Sequence, residues 1–172
     1  MRCRQFFLTW EWLNPTSKWC SPRIRKRRLV QRGRACHESC VICMELALAD
    51  AGITASDIRQ INAHGTSTPL NDAAEAEAIA KVFGVPGPPV VSTKGVTGHA
   101  LGAGGALEAA AVLLSMQYGI IPPTGGTTDL DPEIHLDLVM GTPRSWTPGP
   151  AISNSFGFGG HNGCLVLGPP PD

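Results

Sequence analysis

Acidic side chains are almost missing from the start of this 172-residue chain, and basic ones from the rest. Residues 1–37 hold one acid, Glu11, against ten Lys and Arg, while residues 38–172 hold four Lys and Arg against thirteen acids. The formal net charge of zero therefore conceals a +9 arm and a −9 body, which call for separate readings. Aromatics are scarce at 6%, with a single Tyr, and three of the four Trp (Trp10, Trp12, Trp19) sit in the arm. No apolar run with the flanks of a secretory signal opens the chain, so nothing assigns its cysteines to an oxidising compartment. Five of the six cysteines fall within the first 43 residues and Cys164 stands apart, which is no disulfide framework. The body reads as cytoplasmic.

The arm carries no hydrophobic period. Pro15 and Pro22 interrupt any helix, Arg23–Arg28 is a charge run, and the stretch is expected to be disordered or foreign to the domain. A misassigned start or a shifted reading frame would produce such a segment. Its Arg content matches organelle transit peptides, but its Trp and Cys do not. Arg23–Arg34 also permits salt-sensitive binding of nucleic acid or an anionic membrane. Cys36, Cys40 and Cys43 have the three-then-two spacing of a radical-type iron–sulfur site. Cys43 belongs instead to a helical pattern, and no barrel domain follows, so no metal is assigned.

From Glu38 onward the texture is that of one domain. Val41, Met44, Ala47, Leu48 and Ala51 recur at helical spacing, with Gly52 as the cap. Ile61–Ala63 reads as a strand ending at His64, and Gly65–Pro69 as a loop. A helix capped by Asn71 or Asp72 runs to Phe83, with Glu75 and Glu77 as acids of its first turn. Val90–Ser92 is a short buried strand. His99–Ile121 is the most apolar stretch and is expected to form a long buried central helix. A membrane span is set aside because Glu108 would cost ~2.5–3.5 kcal/mol in lipid. After Pro122–Pro123 come an extended stretch near Leu136–Met140 and two closing strands, Ala151–Ser153 and Cys164–Leu167. Strands alternating with helices predict a layered α/β body with a mixed sheet.

Three segments concentrate the polar chemistry, each just after a strand: Asn62-Ala-His-Gly-Thr-Ser-Thr68, Ser92-Thr-Lys-Gly-Val-Thr-Gly-His99 and Asn154-Ser-Phe-Gly-Phe-Gly-Gly-His-Asn162. A histidine on rigid scaffold at a strand end can face a cleft. Lys94 and His99 are expected at the N-terminus of the buried helix, whose dipole favours negative charge. The order of Gly, Lys and Ser/Thr excludes a P-loop. Asn162, where a third Gly would stand, excludes a dinucleotide loop.

Together, and in this order over roughly Val41–Gly168, the segments resemble the β-ketoacyl-[acyl-carrier-protein] synthases, elongating condensing enzymes (KAS II type) of the thiolase fold. The resemblance implies the C-terminal lobe of a thiolase-like α/β fold over residues 38–172, beyond the arm at 1–37. It also implies a decarboxylative Claisen condensation of a malonyl carrier protein with an enzyme-bound acyl thioester, in fatty-acid or polyketide synthesis. His64 and His99 match the family's paired oxyanion donors, groups typically worth ~2.7–4 kcal/mol each, and Lys94 its active-site lysine. Glu108 matches a glutamate behind the site that an ion pair with Lys94 would satisfy. Thr66 and Thr68 match contacts to phosphopantetheine, Phe158 matches the gating aromatic, and Phe156 packs beside it. Gly95 and Gly105 stand where Ser and Ala are frequent, and His161 where Thr is common, with expected effects on pocket shape and chain length. No cofactor is implied beyond the phosphopantetheine of the acyl carrier protein. The partners implied are that carrier protein, a second subunit, and an N-terminal lobe bearing a Thr-Ala-Cys-Ser-like nucleophile turn. No such turn occurs before His64, so the chain is expected to be inactive alone, or to be a non-catalytic fragment that pairs with an intact synthase.

Overall fold

The computed structural model describes residues 2–3, 27–28 and 36–169. In the arm, β1 (Arg2–Cys3) pairs antiparallel with β2 (Arg27–Arg28), a short ladder in a stretch that carries no hydrophobic period. Apart from Arg27 and Arg28, the basic stretch Arg23–Arg34 lies outside the described residues.

The body follows as α1 (Cys36–Ala51), β3 (Gln60–Asn62), α2 (Pro69–Phe83), β4 (Val90–Val91), α3 (Lys94–Thr97), α4 (Gly104–Tyr118), β5 (Ile120–Ile121), β6 (Arg144–Ser145), β7 (Ala151–Ser155) and β8 (Gly163–Leu167). Its main sheet has the order β4-β3-β7-β8. The first three strands run parallel and β8 returns antiparallel along β7, so the sheet is mixed as expected. Alternation along β7 and β8 builds two cores from one sheet. Ile152 and Val166 face the cluster formed with Met44, Leu48 and Ile79 of α1 and α2, while Ala151 and Leu167 face Ala109, Val112 and Met116 of α4. Helices on both faces explain why β3 is buried at every position.

Helix α1 matches its sequence pattern: Val41, Met44, Ala47 and Leu48 are buried, and Gly52 ends it at φ +71°. Helix α2 starts earlier than expected, with Thr68 at the N-cap and Pro69 in the first turn, where a missing N–H costs nothing. Asp72, rather than Glu75 or Glu77, is the acid of that turn.

The long buried helix expected over His99–Ile121 is corrected on three counts. It begins only at Gly104, after a separate turn (α3) and a 3-10 turn at Leu101–Ala103, because Gly98 and Leu101 take positive φ (+66° and +47°). It ends at Tyr118, where Gly119 forms a left-handed cap at φ 63°. Ile120–Ile121 then pairs with Arg144–Ser145. Nor is it buried all round, since Leu107, Leu114 and Tyr118 are exposed. Among the described residues no helix is long and apolar enough to cross a membrane. The extended stretch near Leu136–Met140 contributes a bridge between Leu138 and Val90 rather than a full strand.

Candidate active site

Two parallel strands, β3 and β4, end side by side, and the residues just beyond them carry the site. Ala63 N–H bonds Val91 O at 2.8 Å, the last contact before β3 and β4 part. The Ser92 hydroxyl then donates to Gly65 O at 3.1 Å, and Ser92 N–H donates to Thr124 Oγ1 at 3.2 Å, tying both loops together. Gly65 sits at φ +41°, and a Cβ there would lie 2.6 Å from Ser92 Oγ, so only glycine fits. Clefts in α/β sheets form at such carboxyl ends of parallel strands.

His64, at the end of β3, is buried. Lys94 Nζ lies 3.3 Å from its Nδ1 and is ion-paired with Glu108, which is 2% exposed. Ser155, closing β7, donates to Glu108 Oε2 at 3.5 Å. His99 is exposed; its ring stands edge-on to His64, with centroids 5.4 Å apart and planes at 85°. Phe156 is buried with its ring 6.1 Å from His64. Thr66 and Thr68 lie on the loop just after His64, their hydroxyls 3.0 Å apart. The side chain of Phe158 falls outside the described residues. All three polar segments thus reach one place, with His64, Lys94, His99, Glu108 and Phe156 gathered there.

Hydrogen bonding fixes which ring nitrogens carry protons. An ammonium only donates, so the bond from Lys94 makes His64 Nδ1 the acceptor, and the neutral ring carries its proton on Nε2. Leu101 N–H donates to His99 Nδ1 at 3.2 Å and imposes the same tautomer there. Burial, then the charge of Lys94, then that of His99, push the His64 pKa down from 6.5 to about 4. His64 is therefore a neutral Nε2–H donor near pH 7. Unfolded chains bind this proton at pH values where folded ones do not, so the contribution of neutral His64 is present above 6.5 and lost as pH falls toward 4. We expect stability to acidic unfolding to flatten across that window in His64→Phe, measured as the pH dependence of the urea midpoint.

Lys94 and His99 do not cap α4. They precede it by a turn and a loop, so proximity to Glu108 and Leu101, rather than the dipole of the buried helix, orients them. Gly95 does not shape a pocket either: a Cβ there would overlap the Gly125 carbonyl. Gly95→Ala is expected to destabilise by ~1–3 kcal/mol, as overpacking does, measured by denaturant unfolding. Gly105 is permissive by comparison, its Cβ position lying 3.3 Å from Ser155 Oγ, and His161 is exposed.

One site residue went unread. Glu75, 3% exposed, accepts the backbone N–H groups of His64 at 2.8 Å and Gly65 at 2.9 Å. Its position on the same helix stripe as buried Ala78 and Ile79 was the available signal. Among the described residues no group of three His, Cys, Asp or Glu could hold a metal ion. Cys40 and Cys43 pack in the α1 core, while the side chain of Cys36 lies outside the described residues. A cavity of about 740 Å³ beside Asp57, Arg59 and Pro148 includes none of the site residues.

A family model described as the beta-ketoacyl synthase C-terminal domain matches residues 30–128. The chain belongs to this family. Its residues are 45% identical over 129 positions to 3-oxoacyl-[acyl-carrier-protein] synthase 2 of Vibrio harveyi, covering 73% of this chain and 31% of that protein. The ishigamide ketosynthase/chain length factor superposes with a TM-score of 0.76 at 37% identity, covering 78% of this chain and 34% of the other. A type II polyketide ketosynthase solved with its acyl-carrier protein superposes at 0.73 and 35% identity, covering 77% and 33%. The fold is thus the thiolase-like α/β arrangement of ketosynthases. The chain spans about a third of the length of these relatives. Within the beta-ketoacyl synthase match fall His64, Thr66, Thr68, Lys94, His99 and Glu108; Phe156 and Phe158 lie beyond its end.

Proposed function

We propose that this chain forms the C-terminal lobe of a 3-oxoacyl-[acyl-carrier-protein] synthase and supplies its decarboxylation machinery. The observation that carries the reading is the edge-on pair His64 and His99, both with Nδ1 engaged as acceptor and Nε2–H left to donate. A malonyl thioester losing carbon dioxide breaks the bond between its carboxylate carbon and its α-carbon. The electron pair moves onto the thioester oxygen as an enolate. Two neutral N–H donors stabilise that oxygen, because preorganised donors act where the charge develops. The enolate carbon then attacks an acyl thioester, forming the carbon–carbon bond and releasing the cysteine thiolate of an N-terminal lobe.

In this reading Lys94 and Glu108 hold His64 neutral and correctly protonated. Thr66 and Thr68, exposed beside it, bond the phosphopantetheine arm of an acyl carrier protein, and Phe158 gates the acyl pocket with Phe156 beside it. No further cofactor takes part. The full enzyme works as a cytoplasmic homodimer, and residues 1–37 stand outside the catalytic lobe. Cys40, Cys43 and Cys164 are buried in the core and do not serve as nucleophile.

The test is a malonyl-carrier-protein decarboxylation assay on the 172-residue chain, with and without a complementary N-terminal lobe. Carbon dioxide release is expected only with the lobe. Release by neither mixture overturns the reading.

A further inference from the structure

The reaction above uses one buried carboxylate, Glu108, and leaves a second one unexplained. Glu75 on α2 is as deeply buried as the core around it. Its Oε1 accepts His64 N–H at 2.8 Å and the Asn154 side-chain amide at 3.2 Å, and its Oε2 accepts Gly65 N–H at 2.9 Å. Burial pushes its pKa up, while the hydrogen bonds from Gly65, His64 and Asn154 and the charge of Lys94 oppose the rise. The two backbone donors belong to no strand or helix: β3 ends at Asn62, and Ala63 makes the last bond to the neighbouring strand. At the point where the chain turns out of the sheet, two consecutive N–H groups converge on one side chain from an adjacent helix.

Three donors meeting at one group select a carboxylate. It offers only acceptor sites, whereas a glutamine of the same shape would turn its own NH₂ toward a donor. A bond to a charged acceptor is also stronger than one to a neutral acceptor, which suits a clamp that must hold a loop.

We propose that Glu75 is the positioning residue of His64, its carboxylate clamping the N–H groups of His64 and Gly65 so that the imidazole stays against Lys94 and His99. The functional meaning rests on the condensing reading, but the clamp itself is tested without catalysis.

The experiment is nuclear magnetic resonance on the whole 172-residue chain. In Glu75→Gln the His64 ring is released from its buried place beside Lys94, and its pKa is expected to rise from about 4 toward 6.5. Loss of a negative charge alone would move it the opposite way, since a nearby carboxylate favours imidazolium. Glu75→Asp keeps the charge but withdraws it by one methylene, and is expected to raise the pKa as well. A folded Gln variant whose His64 titration is unchanged or lowered overturns the proposal. Should the variants fail to fold, the wild-type chain decides by amide exchange. His64 and Gly65 are expected to exchange at least about tenfold more slowly than Ser67, since protection follows the engagement of the amide; equal rates overturn the proposal. Failure of either measurement leaves the decarboxylation test standing, and failure of that test leaves the clamp intact.

Discussion

Alanine at His64 or at His99 is expected to lower malonyl-carrier-protein decarboxylation by about 10²–10³-fold each, in an enzyme assembled from this chain and an N-terminal lobe. In the proposed reaction each substitution removes one N–H donor from the place where enolate charge would build up. The two losses are not expected to multiply, because donors acting on one oxygen behave as a unit. A double alanine variant should sit close to the worse single one. His99→Gln, which keeps an N–H donor, should retain more activity than His99→Ala. His64→Gln should recover less, because its place beside Lys94 demands an acceptor and a donor at fixed ring positions. The measurement is labelled carbon dioxide release under single turnover, with binding of malonyl carrier protein followed separately. Decarboxylation by either alanine variant within about threefold of wild type, a barrier change under about 1 kcal/mol, would remove the paired-donor account.

The lines of this site were legible wherever local chemistry decides. Gly65 and the polar residues that open the loops after β3, β4 and β7 sit where a strand ends, and strand ends can be read from short apolar runs such as Val90–Val91. The roles of His64, Lys94, His99 and Glu108, by contrast, come from the resemblance that the three segments carry together and in order, not from any one strand end, and Glu108 lies inside α4. What stayed hidden depends on approach in space. Glu75 shares a stripe with Ala78 and Ile79 that marks it as inward-facing, but its meeting with the end of β3 exists only once α2 packs there. The pairing of Ile120–Ile121 with Arg144–Ser145 is equally invisible, since two-residue strands carry no period. The limits of α4 were misjudged for a third reason: an unbroken apolar composition conceals the backbone angles of Gly98, Leu101 and Gly119 that stop a helix.

Lys94→Met should destabilise the chain by about 3–5 kcal/mol, because among the described residues it leaves the buried Glu108 carboxylate with only the Ser155 hydroxyl at 3.5 Å. For a chain of this size that corresponds to a melting temperature lower by about 6–20 °C. Glu108→Leu alone should be similarly severe, since it strands the ammonium. The double variant Lys94→Met with Glu108→Leu removes both charges at once, and most of the lost stability is expected to return, as apolar replacements of buried ion pairs commonly achieve. Its site should nonetheless be altered. Without the ammonium, His64 loses both the donor that holds Nδ1 as acceptor and the second-largest cause of its lowered pKa. Its pKa should rise above about 4 in the folded double variant, short of 6.5 because burial still opposes the charge. Stability and imidazole electrostatics would thereby be separated within one pair of residues. A double variant as unstable as Lys94→Met would show that the pair is not the origin of the loss, and an unmoved His64 titration in a stable double variant would show that Lys94 does not set the state of the donor.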